Sequence, residues 1–224
     1  MGNIADKYQP ITLPQMELKE IKEYLSNWAN LLNKKDGIKN LIDVLGKFNH
    51  FDFSIDKQLQ QEAEYVHVYP GISADHKDIK FFVILDLFDK AGFKDNINSH
   101  LHICSPMSLS NQDQLGESIE DKKARKRIKR WQKNPKRYLI RKSALKHNLV
   151  RCFNVPVNDL ITENNRAYFA IKKAKDNKQV DYELDLILKN LSTDQLEEST
   201  ESYDTVRLVP PYPPSMENYF LLDN

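Results

Sequence analysis

The 224-residue chain predicts an α+β fold, and three observations lead there. The first apolar pattern has the 3.6-residue period of paired helices. From Tyr65 onward the period changes to two. The composition, 40% hydrophobic and 10% aromatic, is that of a chain able to bury a core. The expected layout is an N-terminal helical hairpin packed on a mainly antiparallel sheet, followed by a central basic helix pair and a C-terminal β-hairpin. Residues 1–224 are read as one domain, with parts at 14–106, 119–148 and 149–224.

The opening helix is expected from Pro14 to Lys34, because Leu18, Ile21, Leu25, Trp28 and Leu32 recur at 3-4-3-4 spacing with Tyr24 and Leu31 beside them. Thr12 and Gln15 stand in capping-box relation ahead of it. Asp36 is the expected N-cap of a second helix that buries Ile38, Leu41, Ile42, Leu45 and Phe48. Tyr65 to Tyr69 then reads as a strand stopped by Pro70-Gly71. Ile79 to Phe88, apolar on nearly every position, suits a central strand. Asn98 to Cys104 alternates again, placing His100, His102 and Cys104 on one face. Short connections between these three favour an antiparallel meander.

A polar loop over Ser108 to Ser118 leads into the most distinctive segment. Lys122 to His147 holds thirteen of the 33 Lys and Arg and no Asp or Glu, leaving 20 cations against all 32 acids, a remainder of −12. Ala124, Ile128 and Trp131 form a stripe through it, so the segment is an amphipathic helix from about Glu120 and not a bare charge run. Proline lacks the N–H that a helix interior requires, so Asn134-Pro135 should divide it, with Asn134 capping a second helix. Leu149 to Val155 reads as a strand. Arg166 to Lys173 and Gln179 to Leu188 form a hairpin around Asp176-Asn177-Lys178, its second arm alternating apolar residues with Asp181, Glu183 and Asp185 on an acidic outer face. The tail carries acids from Asp194 to Asp204, then Pro210-Pro211-Tyr212-Pro213-Pro214, which favours an extended course. Tyr219-Phe220-Leu221-Leu222 is too apolar to stay in water and should dock onto the protein or another subunit.

The charge segregation points to contact with an anionic surface. The candidate contacts are Lys122, Lys123, Arg125, Lys126, Arg127, Lys129, Arg130, Lys133, Lys136, Arg137, Arg141 and Lys142, with Arg125, Arg127, Arg130 and Arg137 the first to reverse in a test. An acidic protein, or the acidic strand and tail of another copy, is the leading partner. Nucleic acid is the alternative, although no helix-turn-helix spacing, RNP-like strand or zinc finger accompanies the block. The plainest alternative is a solvated helix face balanced by the chain's own acids.

A second alternative is a metal-dependent hydrolase, in which His67, Asp86, His100 and His102 converge from neighbouring strands on a divalent ion. Other chemistry finds little support. Gly71-Ile72-Ser73-Ala74-Asp75 has Asp75 where a nucleophile elbow needs its second glycine, and Gly46-Lys47-Phe48 is no phosphate loop. Cys104 and Cys152 lack metal-type spacing and read as ordinary thiols of a reducing compartment. No apolar leader follows Met1, and the Phe81 to Leu85 run is too short for a bilayer. The expectation is a cytoplasmic, non-catalytic binding or assembly protein that needs no cofactor and no membrane.

Overall fold

The structure, a computed structural model, describes residues 16–108, 122–140, 150–175, 180–191, 202–203, 207–209 and 219–222. Its architecture is α+β with antiparallel sheets. Helices α1 (Leu18–Leu32) and α2 (Lys35–Leu45) open the described chain and touch one another. Ile21, Leu25, Trp28 and Leu31 of α1 are buried, as the spacing requires. The expected capping box lies outside the described residues; Glu17 holds the N-cap position without a side-chain hydrogen bond. Lys34, not Asp36, precedes α2, which puts Asp36 in the first turn, where a carboxylate still favours the helix dipole.

Next come β1 (His50–Ser54) and the four-residue helix α3 (Lys57–Gln60), neither of which the periodicity announced. Strands β2 (Tyr65–Ile72), β3 (Ile79–Leu85) and β4 (His102–Cys104) form the expected meander, each antiparallel to the next. Proline and glycine do not stop β2, however, because Pro70 and Gly71 pair with Phe81 and Lys80. On its other side β2 is opposed by a later strand only as far as Val68, so a missing N–H at Pro70 has an unpaired side to face. Gly71 serves a close approach: a Cβ there would lie 2.7 Å from Phe82 Cε2 and 2.9 Å from Tyr24 Cβ on α1. The third strand is shorter than expected, since residues Ile97–Ser99 form a 3-10 turn and His100 lies outside β4.

Helices α4 (Lys122–Lys133) and α5 (Pro135–Leu139) divide where the proline demanded. Asn134 Oδ1 accepts the Arg137 N–H at 3.0 Å, with Pro135 at the first helical position. Then follow β5 (Cys152–Pro156), β6 (Asn164–Lys175), β7 (Val180–Leu191), β8 (Ser202–Tyr203) and β9 (Arg207–Val209). The hairpin β6–β7 is in register from Asn164↔Leu191 to Lys175↔Val180. The loop residues 109–121 and 176–179, the end of the basic block (141–149) and the acidic tail expected to follow β7 lie outside the described residues, apart from β8.

The strands make two sheets, ordered β1-β6-β7-β8 and β4-β3-β2-β5-β9. A single antiparallel bridge, His50↔Met107, ties the β1 edge of one to the segment after β4 of the other. The inner faces meet at Phe51, Phe81 and Phe169, with the Phe51 and Phe81 rings stacked at 4.3 Å. Alternation sends Phe82 to the opposite face, where it meets Tyr24 of α1 edge-on. Burial of apolar surface at this junction, about 25 cal/mol per Å² removed from water, is what holds helix and both sheets together. No described helix is long and apolar enough to cross a membrane.

Candidate functional site

The acidic outer face expected on β7 is covered by α4 at Asp185 and Ile187. Ala124 and Ile128 pack with Tyr168, Ala170 and Ile187 in a cluster separate from the main core. Asp185, on that same face, is 1% exposed. Arg127 Nη1 reaches its Oδ2 at 3.0 Å. Burial nevertheless pushes the Asp185 carboxyl above its usual range, against the opposing pull of Lys172 and Arg127. Asp185 Oδ1 has no hydrogen-bond partner among the described residues. Glu183 is shared with Lys172, 4.0 Å away. The acidic strand is therefore engaged within its own molecule at Asp185, and cannot offer that carboxylate to another copy's helix.

Arg130 is committed in a different way. Strand β1 opposes β6 no further than Tyr168, with the Phe169 N–H donating to Asn49 O, so β6 has a bare edge beyond. Arg130 Nη1 donates to the Ile171 carbonyl at 2.9 Å on that edge, and its guanidinium lies 5.8 Å from the Tyr182 ring centroid. Trp131 follows it round, donating Nε1–H to Phe48 O and packing on Phe169. Arg125 is half-buried, and Lys136 on α5 pairs with Asp43 of α2. Arg141 and Lys142 lie outside the described residues.

What remains is a stripe. Lys122, Lys126, Lys129 and Lys133 are all exposed and recur at i, i+4, i+7 and i+11. At 100° per residue they centre opposite the buried Ala124, Ile128 and Trp131, over about 16 Å of helix at the 1.5 Å rise. Lys123 flanks the stripe, and exposed Arg137 continues the positive surface onto α5. The helix thus sorts its cations by chemistry. Arg127 and Arg130, whose planar guanidinium makes directed bonds, serve the fold, while lysines, each a compact hydrated charge on a flexible stem, face solvent. Reversing Arg127 or Arg130 would therefore test folding as well as contact, because each is bonded within the fold.

The four proposed metal ligands do not come together. His67 is 2% exposed inside the sheet, with its Nδ1–H directed at Asp89 Oδ2, 2.7 Å away. Tyr69 donates its hydroxyl to the same carboxylate, and the Tyr219 ring stacks on His67 at 4.6 Å. Asp86 begins the turn after β3, its amide bonded to Tyr65 O. His100 and His102 do share one place, a cleft of about 340 Å³ between the ends of β1 and β4 that Ser54, Asp56 and Glu163 also line. There His100 stacks on Phe88 at 3.6 Å, and burial lowers the His102 pKa. Among the described residues no three metal-ligating side chains converge. Period-two alternation could place His67 on a face but could not show that Asp89, 22 residues on, returns beneath it.

The thiols are buried as well: Cys104 is pushed up to about 12 by burial, and Cys152 is raised by the same cause. Neither has an imidazole bond to activate it among the described residues. The docking of the apolar tail is as expected, with Leu221 and Leu222 only 2% and 3% exposed. No protein-family model, curated protein or solved structure matches this chain, so its functional reading rests on the geometry alone.

Proposed function

We propose that this chain is a binding protein that docks an acidic protein surface onto the lysine stripe of α4. The observation that carries the reading is the sorting of the basic helix. Its buried stripe and the bonds of Arg127 and Arg130 hold it to the sheet, while Lys122, Lys126, Lys129 and Lys133 project from the far side. A helix anchored so firmly presents its charges without ordering itself on binding, which lowers the entropic cost of association. Lysines at the rim of an interface mainly steer encounter and set salt dependence. The α4–α5 surface offers no exposed aromatic ring among the described residues, so it lacks the stacking platform that single-stranded nucleic acids use.

The test compares the full chain with a Lys122→Glu, Lys126→Glu, Lys129→Glu, Lys133→Glu variant. Fluorescently labelled poly-L-glutamate and a 24-base-pair DNA duplex are titrated at ~50 to ~300 mM salt by anisotropy. The reading requires salt-sensitive binding of polyglutamate that the variant loses while its circular dichroism is unchanged. A duplex bound more than about tenfold tighter, with a steep log–log salt slope, would transfer the stripe to nucleic acid. Binding of neither probe at the lowest salt would remove the stripe as an interface.

A further inference from the structure

The C-terminal turn sits in a socket built from other parts of the chain. Residues Phe220–Leu222 form one 3-10 turn belonging to neither sheet. Its two leading amides are taken by one residue: the Phe220 N–H donates to Asp89 O at 3.2 Å, and the Leu221 N–H to Asp89 Oδ1 at 3.1 Å. Asp89 thus caps the turn from another part of the chain, as a carboxylate caps a helix N-terminus. Asn154 Nδ2 donates to the Tyr219 hydroxyl at 2.7 Å, and His67 stacks against that ring.

Leu221 and Leu222 lie in the main hydrophobic core, yet two features let the turn act as a ligand. Asp89 is fully buried, and both groups bonded to its Oδ2, His67 and Tyr69, lie outside the tail. A departing tail therefore leaves the Oδ2 bonds in place and removes the two amide contacts, the Asn154–Tyr219 bond, the His67 stacking and the apolar anchors. Tyr219, leading into the turn, is also joined to β9 by only nine residues, 210–218. Val209 pairs with Cys152, two residues from the Asn154 that holds Tyr219, while residues 210–218 can span about 30 Å at the extended limit.

We propose that the Asp89 socket is a peptide-binding site for a helical turn of the form aromatic-x-Leu-Leu, filled in cis here, and that it accepts the same turn from a second copy of this chain. Exchange of tails then joins two copies in an isologous dimer, each giving Tyr219, Leu221 and Leu222 to the other's socket. The lysine stripe takes no part, so this inference stands or falls separately from the proposed function.

The experiment is complementation between two full-length chains. One carries Tyr219→Ala, Leu221→Ala and Leu222→Ala, leaving an intact, empty socket. The other carries Asp89→Asn, which keeps the tail and weakens its own socket. Mixed at ~100 µM, they should form a one-to-one dimer by sedimentation, while neither dimerises alone. A labelled peptide of residues 215–224 should bind the emptied chain at least about tenfold tighter than the wild type, whose own tail competes at the millimolar effective concentration of a short tether. A mixture that stays monomeric although both chains are folded, with no peptide binding, overturns the proposal. Should either variant misfold, hydrogen exchange on the wild type decides it. The Phe220 and Leu221 amides must exchange through local opening, well ahead of β2. Exchange only with global unfolding makes the turn a fixed part of the core and refutes exchange.

Discussion

Replacing Arg127 by alanine should cost far more than replacing any lysine on the same helix. Asp185 beneath it is 1% exposed, and its Oδ1 has no hydrogen-bond partner among the described residues. Removing the guanidinium 3.0 Å from Oδ2 leaves a carboxylate that water cannot reach, and breaking a buried pair in this way typically costs about 3–5 kcal/mol. Lys172 still lowers the Asp185 pKa, which places the expectation near the lower end, about 3 kcal/mol at pH 7. Lys129→Ala on the exposed face should lie within about 0.5 kcal/mol of wild type. The pH dependence has a definite sign. Because burial raises the folded pKa of Asp185, its contribution to stability is greatest when it is protonated and declines as pH rises through that folded value. Loss of Arg127 raises the pKa further, so the penalty of the variant should shrink on acidification from pH 7. Urea unfolding followed by the fluorescence of Trp28 and Trp131 measures each difference. Asp185→Asn in the same chain should recover part of the loss, in a double-mutant cycle with non-zero coupling. A penalty under ~1 kcal/mol at pH 7, or one that grows on acidification, would refute the buried-pair account.

Three further outcomes follow from individual contacts. Gly71→Ala should destabilise by about 1–3 kcal/mol in the same unfolding assay, because its Cβ would meet Phe82 and Tyr24 closer than 3.0 Å on the packed face of α1. Asn134→Ala should cost about 1 kcal/mol through loss of the bond to the Arg137 amide, with Asn134→Asp close to wild type. Cys104 and Cys152, both buried and both raised in pKa, should react with a thiol reagent at neutral pH only as fast as the chain opens, and at once in denaturant.

Helices α1 and α4 were readable because the signal lies within the element. Ile21, Leu25 and Trp28, like Ala124, Ile128 and Trp131, share a face by spacing alone, whatever they pack against. The division at Asn134-Pro135 was equally local, since a missing N–H ends a helix in any context. Local rules failed where a neighbour changed their consequence. Pro70 read as a stop, yet β2 continues because β5 leaves that side unpaired beyond Val68. β1 escaped notice because its place beside β6 depends on partners more than 100 residues away in sequence, as Asp52 and Arg166 show.

The site divides along the same line. That the segment from Lys122 is basic, helical and amphipathic follows from residue order. Which cations it keeps for itself does not. Arg127 meets a carboxylate 58 residues away, and Arg130 meets a carbonyl 41 residues away on an edge that exists only because β1 is short. His67 likewise acquired its role from Asp89 and Tyr219, not from its place in an alternating strand. Periodicity records which face of an element avoids water, because that preference belongs to each side chain. Pairing of charges and capping of turns need two groups at hydrogen-bond distance, and only the folded chain brings them there. Sequence determined that this protein carries a basic helix; tertiary structure decided that Lys122, Lys126, Lys129 and Lys133, and not Arg127 or Arg130, are what it turns to solvent.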